Sequence, residues 1–367
     1  MDRMKVGIIG CGKISSIYME NCKKFGVLEL AACADLDLNR AREQAEKYGI
    51  PRACTTDELL GDPDIDIVIN LTIPAVHAEV SIKALEAGKH VYVEKPLTAT
   101  LEEGRLVLDK AKKLGLLVGS APETFLGAGI QTALQLIEDG VIGRPVSATA
   151  FMMSRGHEFW HPDPEFYYAQ GGGPMFDMGP YYLTALIQLL GPIRSIAGMT
   201  GKAMEERVIT SEKKYGKAIP VDIPTHVAGT LRFENGAIAT LITSFDIFGG
   251  SSLPPIEIHG TEGTILVPDP NTFGGPVKYR KIGEAEWSEQ PLLPGYSENS
   301  RGIGPADMAY ALINKRPHRA SGELAYHVLE AMWAFHESSD SGHYYEMTSR
   351  CHRPAALPSN LAPYTLD

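Results

Sequence analysis

The sequence predicts an α/β first domain, a doubly wound parallel sheet, followed by an α+β domain built on a mostly antiparallel open sheet. Three observations lead there. Short apolar runs alternate with stretches of helical period up to about residue 120. The run over 65–73 (IDIVINLTI) is apolar almost throughout, as a strand covered on both faces must be. Beyond residue 122 the period changes to two, with strands joined by turns such as Glu234-Asn235-Gly236.

The elements follow in order. Strands are expected at 5–10, 27–35, 65–73, 90–94 and 116–120, and helices at 14–25, 38–48, 76–87 and 101–114. Val76, Val80, Ala84 and Ala87 form one helical stripe that stops at Gly88. A helix at 129–138 then precedes an alternating strand at 145–153. The segment 154–174 reads as a loop, and a helix is expected at about 178–190, ending at Gly191-Pro192. Alternating strands are expected at 226–234, 237–245, 256–260, 264–267 and 277–282, and helices at 305–314 and 323–338. The organisation expected is a first domain over 1–122, a second over 123–346, and a peripheral tail over 347–367.

Composition narrows the function classes. The chain has 367 residues, 44% hydrophobic and 22% charged, with a net charge of −11. That charge argues against nucleic acid and anionic membrane as partners, since both select a basic footprint. No apolar run approaches membrane-spanning length, and the opening MDRMKVGIIGCGK lacks a leader's long apolar core. Cys11, Cys22, Cys33, Cys54 and Cys351 are odd in number and show no CxxC spacing, so a cytoplasmic, reducing setting is expected.

Five stretches could carry chemistry. Gly7-Ile8-Ile9-Gly10-Cys11-Gly12-Lys13-Ile14-Ser15 follows the first strand and opens the first helix, the context of a dinucleotide fingerprint. There Gly10 makes the tight turn, and Gly12 lets backbone N–H groups approach a pyrophosphate at the helix N-terminus. Asp35 ends the second strand, 25 residues after Gly10, where a carboxylate accepts from the ribose hydroxyls and disfavours a 2′-phosphate. NAD is therefore the expected cofactor, and Arg40 nearby leaves NADP open. Glu94-Lys95-Pro96 closes another strand, at the end where doubly wound sheets bind ligands. Lys95 reads either as a group that holds substrate or as a solvent-facing partner of Glu94. Thr72-Ile73-Pro74-Ala75-Val76-His77 ends a further strand, and His77 either lines the cofactor site or is a helix-start histidine satisfied by neighbours.

His157-Glu158-Phe159-Trp160-His161 matches the HExxH zinc motif in letters, but Gly156 before it and Pro162-Asp163-Pro164 after it break the helix that motif needs. No metal is expected. His157, Trp160 and His161 read instead as pocket-lining rings or as a loop packed by its own aromatics. Last, Gly171-Gly172-Gly173-Pro174 leads into Asp177, Tyr181 and Tyr182. On residues alone Asp177 reads as a helix cap, and the two tyrosines point in different directions.

Taken together, GIIGCGKIS, Asp35, TIPAVHAEVSIKALEAGKHVYVEKP, GGGPMFDMGPYY and IEIHGTEGT resemble the glucose-fructose oxidoreductase / inositol dehydrogenase / MocA (Gfo/Idh/MocA) family, in order and spacing, from about residue 4 to 345. The resemblance implies a Rossmann domain, a C-terminal sheet whose outer face forms dimer or tetramer contacts, a nicotinamide cofactor held with both, and sugar, polyol or related substrates. Gly10, Gly12, Lys13, Ile14, Asp35, Thr72, Pro74, His77, Glu94 and Lys95 fall at cofactor-binding positions. Lys95 resembles the family lysine at the nicotinamide ribose and substrate, preceding a cis proline bond. Asp177 resembles the aspartate of the family's DxGxH pattern. Where that pattern has histidine this chain has Tyr181, as some relatives that handle sugars do. A phenol beside an ammonium has its pKa lowered and can take a hydroxyl proton. The expected function is NAD-dependent interconversion of a secondary hydroxyl and a ketone, with Lys95, Asp177 and Tyr181 catalytic. The alternatives are a lyase or glycosidase using transient oxidation, and a non-enzymatic NAD sensor.

Overall fold

The computed structural model describes residues 3–367. By internal packing the chain forms two units. The first contains the residues up to Ala128 together with Leu293–Leu329 and Pro354–Asp367, and the second contains Gly129–Leu292 and Glu330–Arg353. The sequence suggests a single cut near residue 122 and a peripheral tail; packing instead groups two later segments with the first unit. In the tail Leu366 is fully buried, and the Asp367 carboxylate accepts from Arg316 Nε at 2.9 Å.

In the first unit six strands are all parallel: β1 (Met4–Ile9), β2 (Leu28–Ala34), β3 (Arg52–Cys54), β4 (Ile67–Asn70), β5 (His90–Val93) and β6 (Val118–Ser120). They lie in the order β3-β2-β1-β4-β5-β6, the doubly wound arrangement whose ligand site is at the carboxyl ends of β1 and its neighbours. Every residue of β4 is buried.

The connecting helices are α1 (Ser15–Asn21), α2 (Leu38–Tyr48), α3 (Thr56–Leu60), α4 (His77–Glu86) and α5 (Leu101–Leu114). Their ends are written in the sequence. Asp37 caps α2 by accepting from Asn39 N, and Thr100 with Glu103 makes a capping box on α5. The first helix is shorter than its expected span, because a 3-10 turn at Cys22–Lys24 replaces its last turn.

The second unit opens with α6 (Ala128–Glu138), whose first residue counts with the first unit, and then β7 (Pro145–Met153) and α7 (Pro174–Leu190). Its strands are β8 (Ile193–Gly201), β9 (Glu206–Val208), β10 (Ala218–Pro220), β11 (His226–Phe233), β12 (Ile238–Ser244), β13 (Ile256–Gly260), β14 (Gly263–Val267), β15 (Val277–Lys281) and β16 (Ser288–Gln290). The helix α8 (Ile303–Asn314) belongs to the first unit, α9 (Gly322–Ser341) runs through both segments, and β17 (Tyr345–Glu346) ends the second.

Among the described residues the large sheet has the order β16-β15-β14-β13-β7-β12-β11-β8-β17. Only the central β7–β12 pair is parallel. One face, with Ala148, Ala150, Val227, Leu231, Ala239 and Leu241, is buried under α7. The other carries Met199, Ala228, Thr230, Arg232, Ile238 and Thr240, half-buried or exposed. Strands β9 and β10 form a separate two-stranded ribbon. No helix among the described residues is long and apolar enough to cross a membrane.

Candidate active site

One group of candidate residues is built at the strand ends of the six-stranded sheet. Gly10 leaves β1 with φ +100°, and a Cβ there would lie 2.7 Å from the carbonyl carbon of Leu71. Only glycine fits, because both the conformation and the space are closed to a side chain. A Cβ at Gly12 would meet nothing within 4 Å, so the surface above that turn is open. Ser15 opens α1 with its hydroxyl donating to Gly12 O at 2.6 Å, where the expected fingerprint has its third glycine. Lys13 is exposed and Ile14 half-buried beside it.

Asp35 lies just past β2. Its carboxylate accepts from Cys11 N at 2.8 Å and Asp37 N at 2.9 Å, and pairs with Arg40 Nη1 at 3.3 Å. The acid is thus fixed against the glycine turn. Open space at Gly12 and a carboxylate set beside the same turn fit a dinucleotide's phosphates and ribose. Leu36 and Ile73 stand exposed next to Asp35 and Thr72. Sequence reading passed over them, and their signal was an apolar residue placed immediately after a strand-ending polar one.

At the end of β4, buried Asn70 organises the turn. Its amide donates to His77 O and Ser81 Oγ, both at 3.1 Å, and its carbonyl accepts from the Thr72 hydroxyl at 2.6 Å. Pro74 is exposed on the following 3-10 turn. His77 corrects one expectation: its ring is fully buried and lines no open surface. Nδ1 lies 2.7 Å from Pro96 O and Nε2 lies 3.1 Å from Thr72 O, so the ring ties the turn after β4 to the one after β5. Burial lowers its pKa, and the two carbonyls push the other way without overcoming it.

Lys95–Pro96 is a cis peptide bond, as the resemblance implies. Glu94 accepts from Lys95 N at 2.8 Å on one oxygen and from Tyr18 OH at 3.0 Å on the other. Tyr18 also lies 3.3 Å from Glu123, which accepts from Tyr92 OH at 2.9 Å and from Gly302 N at 2.8 Å. Burial, with Glu94 second, pushes the Glu123 carboxyl above the usual range. The backbone of the Glu94-Lys95-Pro96 block therefore stands on a buried, fully bonded layer.

A separate group of candidate residues is built in the second unit on α7. The helix begins at Pro174, four residues before its expected start, because Gly173 takes the cap at φ 92° and Pro174 suits the first helical position. Asp177 is accordingly not the cap; its N–H donates to Gly173 O at 3.0 Å, inside the first turn. A carboxylate there is favoured by the helix dipole. Tyr181 follows four residues later on the same face and is 8% exposed. Tyr182 turns into the core and donates to Phe151 O at 3.3 Å, and burial pushes its phenol well above the ordinary range.

The loop between β7 and α7 brings His157 to Asp177, with Nε2 to Oδ2 at 3.1 Å. Trp160 Nε1 donates to His157 Nδ1 at 3.2 Å, and the rings of Tyr167 and Phe245 lie 4.0 and 4.7 Å from the imidazole by centroid. His157 O accepts from His161 N at 2.9 Å, one turn that continues no further, so the HExxH letters form no metal-binding helix. His161 accepts on Nδ1 from Asp163 N at 3.1 Å and packs against Phe166 and Tyr167.

Glu158 is held by Arg207 Nη1 at 2.7 Å and by Tyr168 OH. Arg207, 2% exposed in its side chain, also pairs with Asp246 and donates to Arg155 O and Phe245 O. Sequence reading missed Arg207, which lies on β9, far along the chain from the loop it anchors.

Similarity to known proteins agrees with this architecture. An oxidoreductase family model with an NAD-binding Rossmann fold, GFO_IDH_MocA, matches residues 4–121, and the GFO/IDH/MocA C-terminal domain model matches residues 130–266. The chain is 28% identical over 294 residues to levoglucosan dehydrogenase of Pseudarthrobacter phenanthrenivorans, covering 72% of this chain and 74% of that protein. It is 30% identical over 331 residues to dTDP-3,4-didehydro-2,6-dideoxy-alpha-D-glucose 3-reductase of Streptomyces violaceoruber, covering 87% and 88%. A solved levoglucosan dehydrogenase in complex with NADH shares the fold at TM-score 0.80 and 22% identity, covering 95% of this chain and all of that one.

Proposed function

We propose a substrate class and residue roles from one premise: the chain belongs to the Gfo/Idh/MocA family and is an NAD-dependent oxidoreductase acting on CH–OH groups. The substrate is a sugar, polyol or glycoside, whose secondary hydroxyl is interconverted with a ketone. The dehydrogenase and reductase relatives, which are named for sugar substrates, support that class.

Bound NAD supplies the hydride acceptor at the carbinol carbon, and the protein supplies orientation and the proton path. In this reading Gly10, Gly12, Lys13 and Ile14 cradle the phosphates and Asp35 binds the adenosine ribose. Thr72, Pro74 and Glu94 shape the walls, and Lys95 orients the nicotinamide ribose and the reacting oxygen. Asp177 accepts a hydrogen bond from the substrate, and Tyr181 takes the hydroxyl proton as the carbonyl forms, returning it in reduction. His157, Trp160 and His161 shape the loop over the substrate. The observation that carries this reading is the pair Asp177 and Tyr181, one turn apart on one face of α7, with the aspartate fixed by His157 at 3.1 Å.

The test is a panel of sugars, polyols and glycosides followed by NADH absorbance. Wild type forms NADH with at least one of them, whereas Lys95→Ala and Tyr181→Phe lose turnover and still bind NAD. Wild-type turnover in Tyr181→Phe would take the proton step from Tyr181. A cytoplasmic setting suits the buried thiols of Cys11, Cys22, Cys33 and Cys54. The exposed sheet face with Met199 and Ile238 is the surface through which copies associate into dimers or tetramers. Ile238→Asp then lowers the mass measured by light scattering, and an unchanged mass would refute that interface.

A further inference from the structure

We propose that His157 is the positioning residue for Asp177, kept in one tautomer by Trp160 and seated by the Arg207 ion cluster. An indole N–H only donates, so the Trp160–His157 contact at 3.2 Å requires a lone pair on Nδ1. The single ring proton then sits on Nε2, the atom 3.1 Å from Asp177 Oδ2, and the imidazole donates to the carboxylate. Both ring nitrogens are occupied in this arrangement. The ring therefore has no free site for a substrate proton, and it acts on the carboxylate rather than on the reacting carbon. That contact fixes the orientation of the Asp177 carboxylate.

The ring's own place is set from three sides. Tyr168 OH accepts from His157 N at 3.1 Å, Tyr167 packs tilted and Phe245 edge-on against the imidazole, and neighbouring Glu158 is bound to buried Arg207. Trp160, 48% exposed, is the only outer wall of this group that the surface reaches easily. It thus couples the loop's position to the histidine's tautomer and, through it, to the carboxylate.

The inference rests on the proposal that Asp177 holds the substrate, so one measurement is chosen to stand without turnover. In protein labelled with 15N-histidine, the NAD-bound enzyme is expected to show His157, assigned by its loss in His157→Gln, as neutral with Nε2 protonated. Trp160→Phe shifts the Nδ1 resonance toward that of an unbonded lone pair. A ring protonated on Nδ1, or a resonance unmoved by Trp160→Phe, would overturn the tautomer assignment.

The second measurement uses the best substrate of the panel. Loss of a hydrogen bond to a carboxylate is worth about 10- to 100-fold in binding. His157→Ala is therefore expected to raise KM by roughly that factor with NAD affinity unchanged, and His157→Gln, whose amide N–H reaches the same oxygen, recovers most of it. Equal KM values in the two variants and wild type would contradict positioning, as would a loss confined to kcat. If no panel compound reacts with wild type, the proposed function fails while the nitrogen spectrum still decides the tautomer.

Discussion

At the residue scale, Gly10 and Gly12 separate folding from cofactor binding. A methyl at Gly10 collides with Leu71 and forces a side chain onto φ +100°. Gly10→Ala is expected to cost about 1–3 kcal/mol of stability, read as a lower denaturant midpoint. A methyl at Gly12 touches no protein atom, so Gly12→Ala keeps the wild-type midpoint and instead weakens NAD, which calorimetric titration reads. A stable Gly10→Ala variant, or full NAD affinity in Gly12→Ala, would contradict this account of the turn. Both glycines were visible in the sequence as a GxG after an apolar strand. What the letters did not give was that His77 faces two carbonyls inside the protein, since a helix-start histidine reads the same whether it points in or out.

At the element scale, the segment between β7 and α7 is a folded structure whose anchor is remote in sequence. Arg207→Met would leave Glu158 and Asp246 without their shared cation in a buried place. Removing one partner of such a group costs about 3–5 kcal/mol. The expected result is a lowered thermal midpoint together with faster proteolysis within 154–173. A variant as stable and protease-resistant as wild type would show that the cluster is dispensable.

Helix ends were legible where short polar caps declare themselves, as Asp37 and Thr100 do. The strand β8 was not, because IRSIAGMTG alternates poorly. One of its glycines, Gly198, is required by packing, since a Cβ there would lie 2.5 Å from Phe335 O. The i, i+4 relation of Asp177 and Tyr181 could be read from the letters. The contact of His157 with Asp177 could not, since it depends on how the loop folds back.

At the scale of the whole molecule, buried histidines make stability depend on pH. Burial lowers the pKa of His77, His90 and His318 from 6.5 in the folded protein. His90 Nδ1 accepts from Leu117 N at 3.0 Å and His318 Nε2 lies 3.0 Å from Val118 O. The unfolded chain therefore binds protons first as pH falls through 6.5, and the folded state loses stability below that point. Burial lowers His336 likewise, so Glu123, whose carboxyl is raised by burial, works in the opposite sense against four histidines. The thermal midpoint is expected to fall between pH 7.5 and 5.5; a flat or rising midpoint would contradict this.

The central claim is that Tyr181 passes a proton while NAD takes a hydride from a sugar-like secondary alcohol. NADH formation by wild type and by Tyr181→Phe, each saturated with NAD, on the panel compound most active with wild type tests it most directly. The account predicts steady NADH production by wild type and none above background by the variant, at equal NAD affinity. Equal rates in the two proteins would contradict the role of Tyr181, and no NADH from wild type with any compound would contradict the substrate class.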